Sequence, residues 1–204
     1  MSAATCAVFD CPMTPPANGR TADDWWEDAW APYDDETYRF VLAHVQADDV
    51  VLDIGAGDLR LAFRLAPRVH RVIALERRPA VLPRITPALL PANLLVIATD
   101  ALTWSFPRGL TVGVLLMRHC RHMGDYIQRL RAVGCQRLIT NARWGFGCEE
   151  IDLWAAAPWR GLTGGWYGCR CGAAGFKPLP ADLLTDERLW QQHEVTECPR
   201  CAAV

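Results

Sequence analysis

The sequence predicts a doubly wound α/β fold with a mostly parallel sheet, followed by a small C-terminal module held by cysteines. Three observations predict it. Five short runs, "DDVVLDIG", "RVIALE", "LLVIATD", "TVGVLLM" and "QRLITNA", have the near-continuous hydrophobicity of strands buried on both faces. Segments suited to crossover helices separate several of them, the arrangement that builds a parallel sheet. Four of the nine cysteines fall in two close pairs near the C-terminus.

Residues 1–22 contain Pro12, Pro15, Pro16 and Gly19 without an apolar period, and are expected to form a mobile tail. The composition changes at Asp23. Asp23 and Asp24 suit a helix N-terminus. A second helix starting near Asp34 or Asp35 presents Tyr38, Val41, Leu42 and Val45 on one face. Residues 23–48 therefore read as a helical lid, whose Trp25, Trp26 and Trp30 either glue it to the core or wall a pocket.

After the first strand, "LRLAFRLAP" is predicted helical, because a parallel neighbour requires a crossover there. Pro79, Pro83, Pro87 and Pro91 exclude an intact helix after the second strand. The stretch from Asp100 to Leu110 is too short for a long helix. "GDYIQRLRAVG" is a helix with Gly134 as its stop. "EEIDLWAA" reads as a sixth strand, and "GWYGCRCGAAGFKP" and "HEVTECPRC" as short strands meeting at cysteine turns. The expected division is a tail at 1–22, a lid at 23–48, an α/β domain at 49–160 and a C-terminal module at 161–204.

Charge is unevenly spread. Residues 1–58 carry twelve acids and two bases, whereas residues 59–143 carry three acids and fourteen bases. The basic third either meets an anionic partner or packs against the acidic third. No run is long and apolar enough to span a membrane, and the N-terminus lacks an export signal, so a cytoplasmic protein with no membrane partner is expected.

"DIGAGD" places a strand directly before two glycines. A P-loop would need Gly-Lys-[Ser/Thr] after the turn, which is absent. A dinucleotide loop would prefer glycine where Arg60 stands. Asp53, Glu76 and Asp100 each fall at the end of a successive strand, on the carboxyl edge where α/β proteins bind ligands. An acidic rim favours a cationic ligand over a phosphate.

Asp53-Ile-Gly55-Ala56-Gly57-Asp58 resembles the first motif of class I S-adenosylmethionine-dependent methyltransferases, with Leu59 where a third glycine is common. The resemblance covers roughly residues 32–142. It implies a Rossmann-like fold and S-adenosylmethionine as cofactor. By the same resemblance, Asp53, Gly55, Ala56 and Gly57 form the cofactor loop and Glu76 binds ribose. Asp100 and Ala101 read adenine, and Met117 lines the cofactor site. "PYDDETYRF" is similar to the entry segment of a branch that includes lysine methyltransferases, with Tyr33 and Thr37 as the matching residues.

The acceptor belongs at the end of the fourth strand. Adenine methyltransferases carry [DNS]-Pro-Pro-[YFW] there, but this chain has "LLMRHCRHMGDY", which counts against their standard N6 mechanism. His119 or His122 can take a proton from an acceptor. Arg118 and Arg121 can hold an anionic group, or pair with the acidic N-terminal third. Tyr33 is expected to line the same pocket. Cys120 as a nucleophile is disfavoured. Asn141, Arg143 and Trp144 are expected on the same rim.

Cys169, Cys171, Cys198 and Cys201 suit a structural zinc ion (Zn2+), with reduced buried thiols as the alternative. The module resembles a zinc ribbon. Such ribbons grip nucleic acid or protein, or merely staple a short chain end. The sequence thus supports a methyltransferase with an RNA or protein acceptor. Its rivals are a non-catalytic S-adenosylmethionine-binding protein and a small NAD(P)-dependent oxidoreductase.

Overall fold

The structure is a computed structural model and describes residues 33–82, 89–143 and 145–201. The chain divides into two compact units, residues 1–34 and residues 35–204. The expected tail, the first lid helix with its three tryptophans, Pro83, Pro87 and Trp144 lie outside the described residues.

The second unit begins with α1 (Asp35–Ala43), β1 (Val50–Ile54), α2 (Arg60–Leu65), β2 (Arg71–Glu76), β3 (Leu94–Ala98), β4 (Val112–Leu115), α3 (Met123–Ala132), β5 (Arg137–Thr140) and β6 (Glu149–Asp152). These strands form one sheet in the order β3-β2-β1-β4-β5-β6. The first five run parallel and β6 is antiparallel to β5. The order reverses between β1 and β4, which opens a crevice at the carboxyl ends of those two strands.

Burial follows the hydrophobic runs. Val51, Leu52, Ile54, Val112, Val114 and Leu115 are all but sealed from solvent, as central parallel strands require. α3 buries Met123, Tyr126, Ile127 and Leu130, a single helical stripe, against the sheet. α1 buries Thr37, Tyr38 and Val41. It stops at Ala43, so Val45 is not on its face: the chain turns there, with the His44 N–H donating to the Val41 carbonyl.

In the crossover from β2 to β3 the described residues include a short 3-10 turn at Pro79–Val81, while residues 83–88 lie outside the described residues. At the amino-terminal edge of the sheet, Asp49 accepts hydrogen bonds from Arg137 at 2.8 Å and from the Thr111 hydroxyl at 2.6 Å. This partly buried network ties β1, β4 and β5 at the amino-terminal end of the sheet. It belongs to stability rather than chemistry.

The C-terminal residues build a second sheet from β7 (Ala157–Pro158), β8 (Gly165–Cys169), β9 (Ala174–Lys177) and β10 (Gln192–Thr196), in the order β7-β10-β8-β9. β8 and β9 form an antiparallel hairpin, and β10 lies parallel to β8. A short helix, α4 (Asp186–Trp190), precedes β10, and its N-terminal Thr185 hydroxyl accepts from the Arg188 N–H. Sequence reading did not anticipate β7 or α4.

Arg143 joins the two sheets. Its side chain is 0% exposed. The guanidinium bonds Glu149 of β6 at 3.0 Å and both carboxylate oxygens of Glu194 on β10, at 2.8 Å to Oε2. Burial pushes Glu149 up to about 7 despite the opposing Arg143 charge, and Glu194 adds to the rise. A buried cation is tolerable only with such pairing. β8 leaves room for it through Gly168, where any Cβ would overlap the guanidinium. Gly168→Ala should therefore cost at least about 1–3 kcal/mol in chemical denaturation of the full chain. An unchanged unfolding midpoint would contradict the clamp.

Candidate active site

The glycine turn after β1 is held by the end of β2. The N–H groups of Gly55 and Ala56 both donate to the Leu75 carbonyl at 2.9 Å. The Gly57 N–H donates to Glu76 Oε2 at 2.9 Å, and the Arg78 N–H donates to Oε1 at 2.8 Å. Gly55 and Gly57 have φ of +74° and +55°, a region where side chains are strained. Leu59 takes the same left-handed conformation at φ +67°, where the resemblance expects glycine. Its side chain is buried, and that burial offsets a backbone cost of roughly 1–2 kcal/mol.

Among the described residues a Cβ on Gly57 would meet nothing within 4 Å, whereas one on Gly55 would lie 3.1 Å from the Met117 sulfur. Met117 from the end of β4 thus reaches the loop that follows β1. Asp53 is aligned with Ala74 of β2 and Val114 of β4, so it sits between those strands near the carboxyl end of β1. It is 3% exposed and Glu76 is 4% exposed. Asp53 Oδ2 is buried and has no hydrogen-bond partner among the described residues. Burial, and secondarily the Glu76 charge, push the Asp53 carboxyl up to about 7. A buried carboxylate lacking a donor is costly, and a cationic or N–H-bearing ligand would relieve it.

Asp100 follows β3 and is half-buried; its Oδ1 accepts the Leu102 N–H at 2.8 Å, and Ala101 beside it is buried. Asp53, Glu76 and Asp100 therefore lie on the same carboxyl edge, at or just beyond three adjacent strands. The donor set suits S-adenosylmethionine, whose ammonium and sulfonium are cationic and whose ribose offers two hydroxyl donors.

The acceptor candidates divide. His119 is half-buried, with φ +60°, and its N–H donates to the Ala142 carbonyl at 3.0 Å. Burial, then the neighbouring Arg118, holds its imidazole below the ordinary value, so it is neutral at neutral pH. His122 is instead exposed and pairs with Asp125 at 3.0 Å. Arg118 and Arg121 are exposed on the same loop. Cys120 is raised by burial and stays a thiol at neutral pH, which makes it a poor nucleophile. Tyr33 belongs to the first compact unit.

Two of the residues expected on the rim are described, and both are buried. Asn141 is buried with both amide atoms unpaired. Arg143 is drawn away from the rim into the clamp between the sheets.

The four cysteines converge. The Cys169–Cys201 and Cys171–Cys198 sulfurs are each 3.6 Å apart, and Cys198–Cys201 are 3.7 Å apart. All four sulfurs lie within 4.8 Å of one another. A tetrahedral ion with Zn–S bonds of about 2.3 Å requires sulfur separations of roughly 3.8 Å, which this cluster meets. Burial raises the Cys169 thiol, but backbone N–H bonds from Cys171 and Cys198 outweigh it and leave the group below its ordinary value.

The sequence model of the ribosomal RNA adenine dimethylase family matches residues 40–142, half of the chain. The match begins after Tyr33 and Thr37. No curated protein matches the chain. Among solved structures, a dimethyladenosine transferase from Plasmodium falciparum is 21% identical over 52% of this chain and 39% of its own, with a TM-score of 0.44. The 23S rRNA methyltransferase ErmE is 21% identical over 52% of this chain and 45% of its own, with a TM-score of 0.46. The Bacillus subtilis YcgJ protein is 18% identical over 52% and 50%, with a TM-score of 0.44. This chain thus spans half or less of these structures, and the family assignment rests on the family model.

The raised Asp53 carboxyl carries a pH signature. Because its folded value lies above its unfolded one, the folded state binds the extra proton between about pH 4 and about 7. The contribution of Asp53 to the stability of the ligand-free protein should be greatest at the acid end of that window and fall as pH rises through it, by up to ~1.4 kcal/mol per pH unit. Asp53→Asn should remove that contribution in urea unfolding at successive pH values. Equal slopes for both proteins would contradict it.

Proposed function

The chain belongs to the ribosomal RNA adenine dimethylase family, and from that premise we propose that it is an S-adenosylmethionine-dependent methyltransferase whose acceptor is RNA. The observation that carries this reading is the pairing of the glycine turn with Asp53, whose buried Oδ2 lacks a donor among the described residues, beside Glu76.

Glu76 would hold the ribose. Asp53 and the turn from Gly55 to Gly57 would receive the methionine portion. Asp100 and Ala101 would contact adenine, with Met117 closing the site from β4. When bound, S-adenosylmethionine supplies a methyl group already activated on a sulfonium. The protein therefore needs mainly to align the acceptor. Neutral His119 can accept a proton from an acceptor N–H, and Arg121 offers an exposed cation for RNA phosphate, with Arg118 on the same loop. The basic third of the chain favours such a polyanion. "MRHC" in place of the usual amino-group tetrapeptide means that the acceptor is seated by different side chains from those of a standard N6 site.

Within this reading, Cys169, Cys171, Cys198 and Cys201 hold a structural zinc ion, supported by the sulfur spacings.

Two measurements test these assignments. Purified protein with methyl-labelled S-adenosylmethionine should label the RNA fraction of an extract and not its protein fraction. Glu76→Ala should reduce that labelling at least ~100-fold. Label on protein would overturn the RNA acceptor, and cofactor binding with no labelled product would favour a binding protein. Metal analysis should give about one zinc per chain. Less than about half an equivalent, with all thiols titratable, would overturn the zinc site.

A further inference from the structure

We propose that the four-cysteine cluster positions the acceptor loop, residues 118–122, so that metal binding in the C-terminal module controls acceptor engagement at the carboxyl edge of the larger sheet. This rests on the zinc and methyl-transfer readings above, and it assigns the module a role beyond stapling the chain end.

Contacts at both the end and the middle of the loop carry the inference. The loop ends at Met123 and Gly124, in the first turn of α3. The turn from Cys169 to Gly172 sits directly on those two residues. A Cβ on Gly124 would lie 3.1 Å from the Cys171 carbonyl oxygen, and a Cβ on Gly172 would lie 3.2 Å from the Met123 Cβ. The middle of the loop is tied through Ala142, whose carbonyl accepts the His119 N–H at 3.0 Å. The next residue, Arg143, bonds Glu194 of β10, and its Nη2 lies 3.5 Å from the Cys169 carbonyl oxygen.

The loop needs such support. His119 carries φ +60°, a left-handed conformation unfavourable for a residue with a side chain. Strained backbone of this kind persists where the surroundings over-determine it. Within the loop region the Cys120 N–H donates to the Met117 carbonyl at 3.1 Å, the Met123 N–H to the Cys120 carbonyl at 3.4 Å and the Tyr126 N–H to the His122 carbonyl at 3.0 Å. Four metal–sulfur bonds would lock the Cys169–Gly172 turn to the Cys198–Cys201 turn. That rigid surface is what Gly124 packs against. The cofactor loop is anchored separately, on β2, so it should not share the dependence.

The test is hydrogen exchange by mass spectrometry on the full chain, comparing zinc-loaded protein, chelator-stripped protein and zinc-loaded Gly124→Ala. Alanine favours the helix itself, so this variant disturbs the packing contact and not α3. The peptide spanning 117–124 should exchange ~10-fold faster after stripping and in Gly124→Ala, while 51–60 stays unchanged. Gly124→Ala should also lower kcat/KM for RNA by roughly 10-fold, with S-adenosylmethionine affinity within about twofold of wild type. A weakened zinc affinity in the variant would be the reciprocal of the same coupling and supports it. Unchanged exchange in 117–124 under both perturbations would overturn the proposal, as would a protein that binds no zinc. If no methyl transfer is found at all, the methyltransferase reading fails, while the exchange comparison still decides the coupling.

Discussion

The site depends on one local constraint: the turn after β1 is pinned to the end of β2 by three successive backbone N–H groups. Gly55 and Ala56 bond the Leu75 carbonyl, and Gly57 bonds the Glu76 carboxylate. This arrangement fixes where the glycines lie and orients Glu76. Asp53, two residues before Gly55, keeps a buried oxygen with no partner among the described residues. Because β1 is central and the strand order reverses beside it, the same constraint sets the floor of the crevice. The protein tolerates a poorly satisfied buried carboxylate there, which a purely structural core would not favour.

A second constraint acts across sheets. Arg143 has no exposed side-chain surface and two carboxylates from different sheets. Removing either carboxylate changes what the buried cation faces, so the sheets are coupled electrostatically as well as by packing. The residue before Arg143 supports His119, and its neighbour Asn141 keeps an unpaired buried amide. Elements that stabilise the module therefore also shape the edge at which an acceptor would be received.

Much of this was legible in the sequence. Continuous apolar runs marked β1 to β5, since strands buried on both faces must be hydrophobic throughout. The proline spacing after β2 excluded a helix for the same local reason. The three acids were readable because strand ends and the carboxyl edge follow from parallel topology alone. The cysteine cluster was legible because two close thiol pairs suit a tetrahedral ion. What was hidden was non-local or ran against propensity. Leu59 in a left-handed turn contradicts its own backbone preference, and only its burial explains it. Arg143 was expected on the rim beside Asn141 and Trp144, because its partner Glu194 lies 51 residues away and no local signal marks the pairing. β7 is two residues long, and no periodic signal survives at that length. His122 was placed with His119 in the candidate site, yet a carboxylate three residues on, Asp125, holds it at the surface.

The central claim is that the rim of Asp53, Glu76 and Asp100 is a seat for a cationic adenosyl ligand. Calorimetric titration of the purified chain with S-adenosylmethionine measures this most directly. The account predicts saturable binding at one site per chain, tighter at pH 8 than at pH 6 as Asp53 gives up its proton, and competition by S-adenosylhomocysteine. Absence of heat or saturation from a folded protein, with binding of a nicotinamide dinucleotide instead, would contradict it.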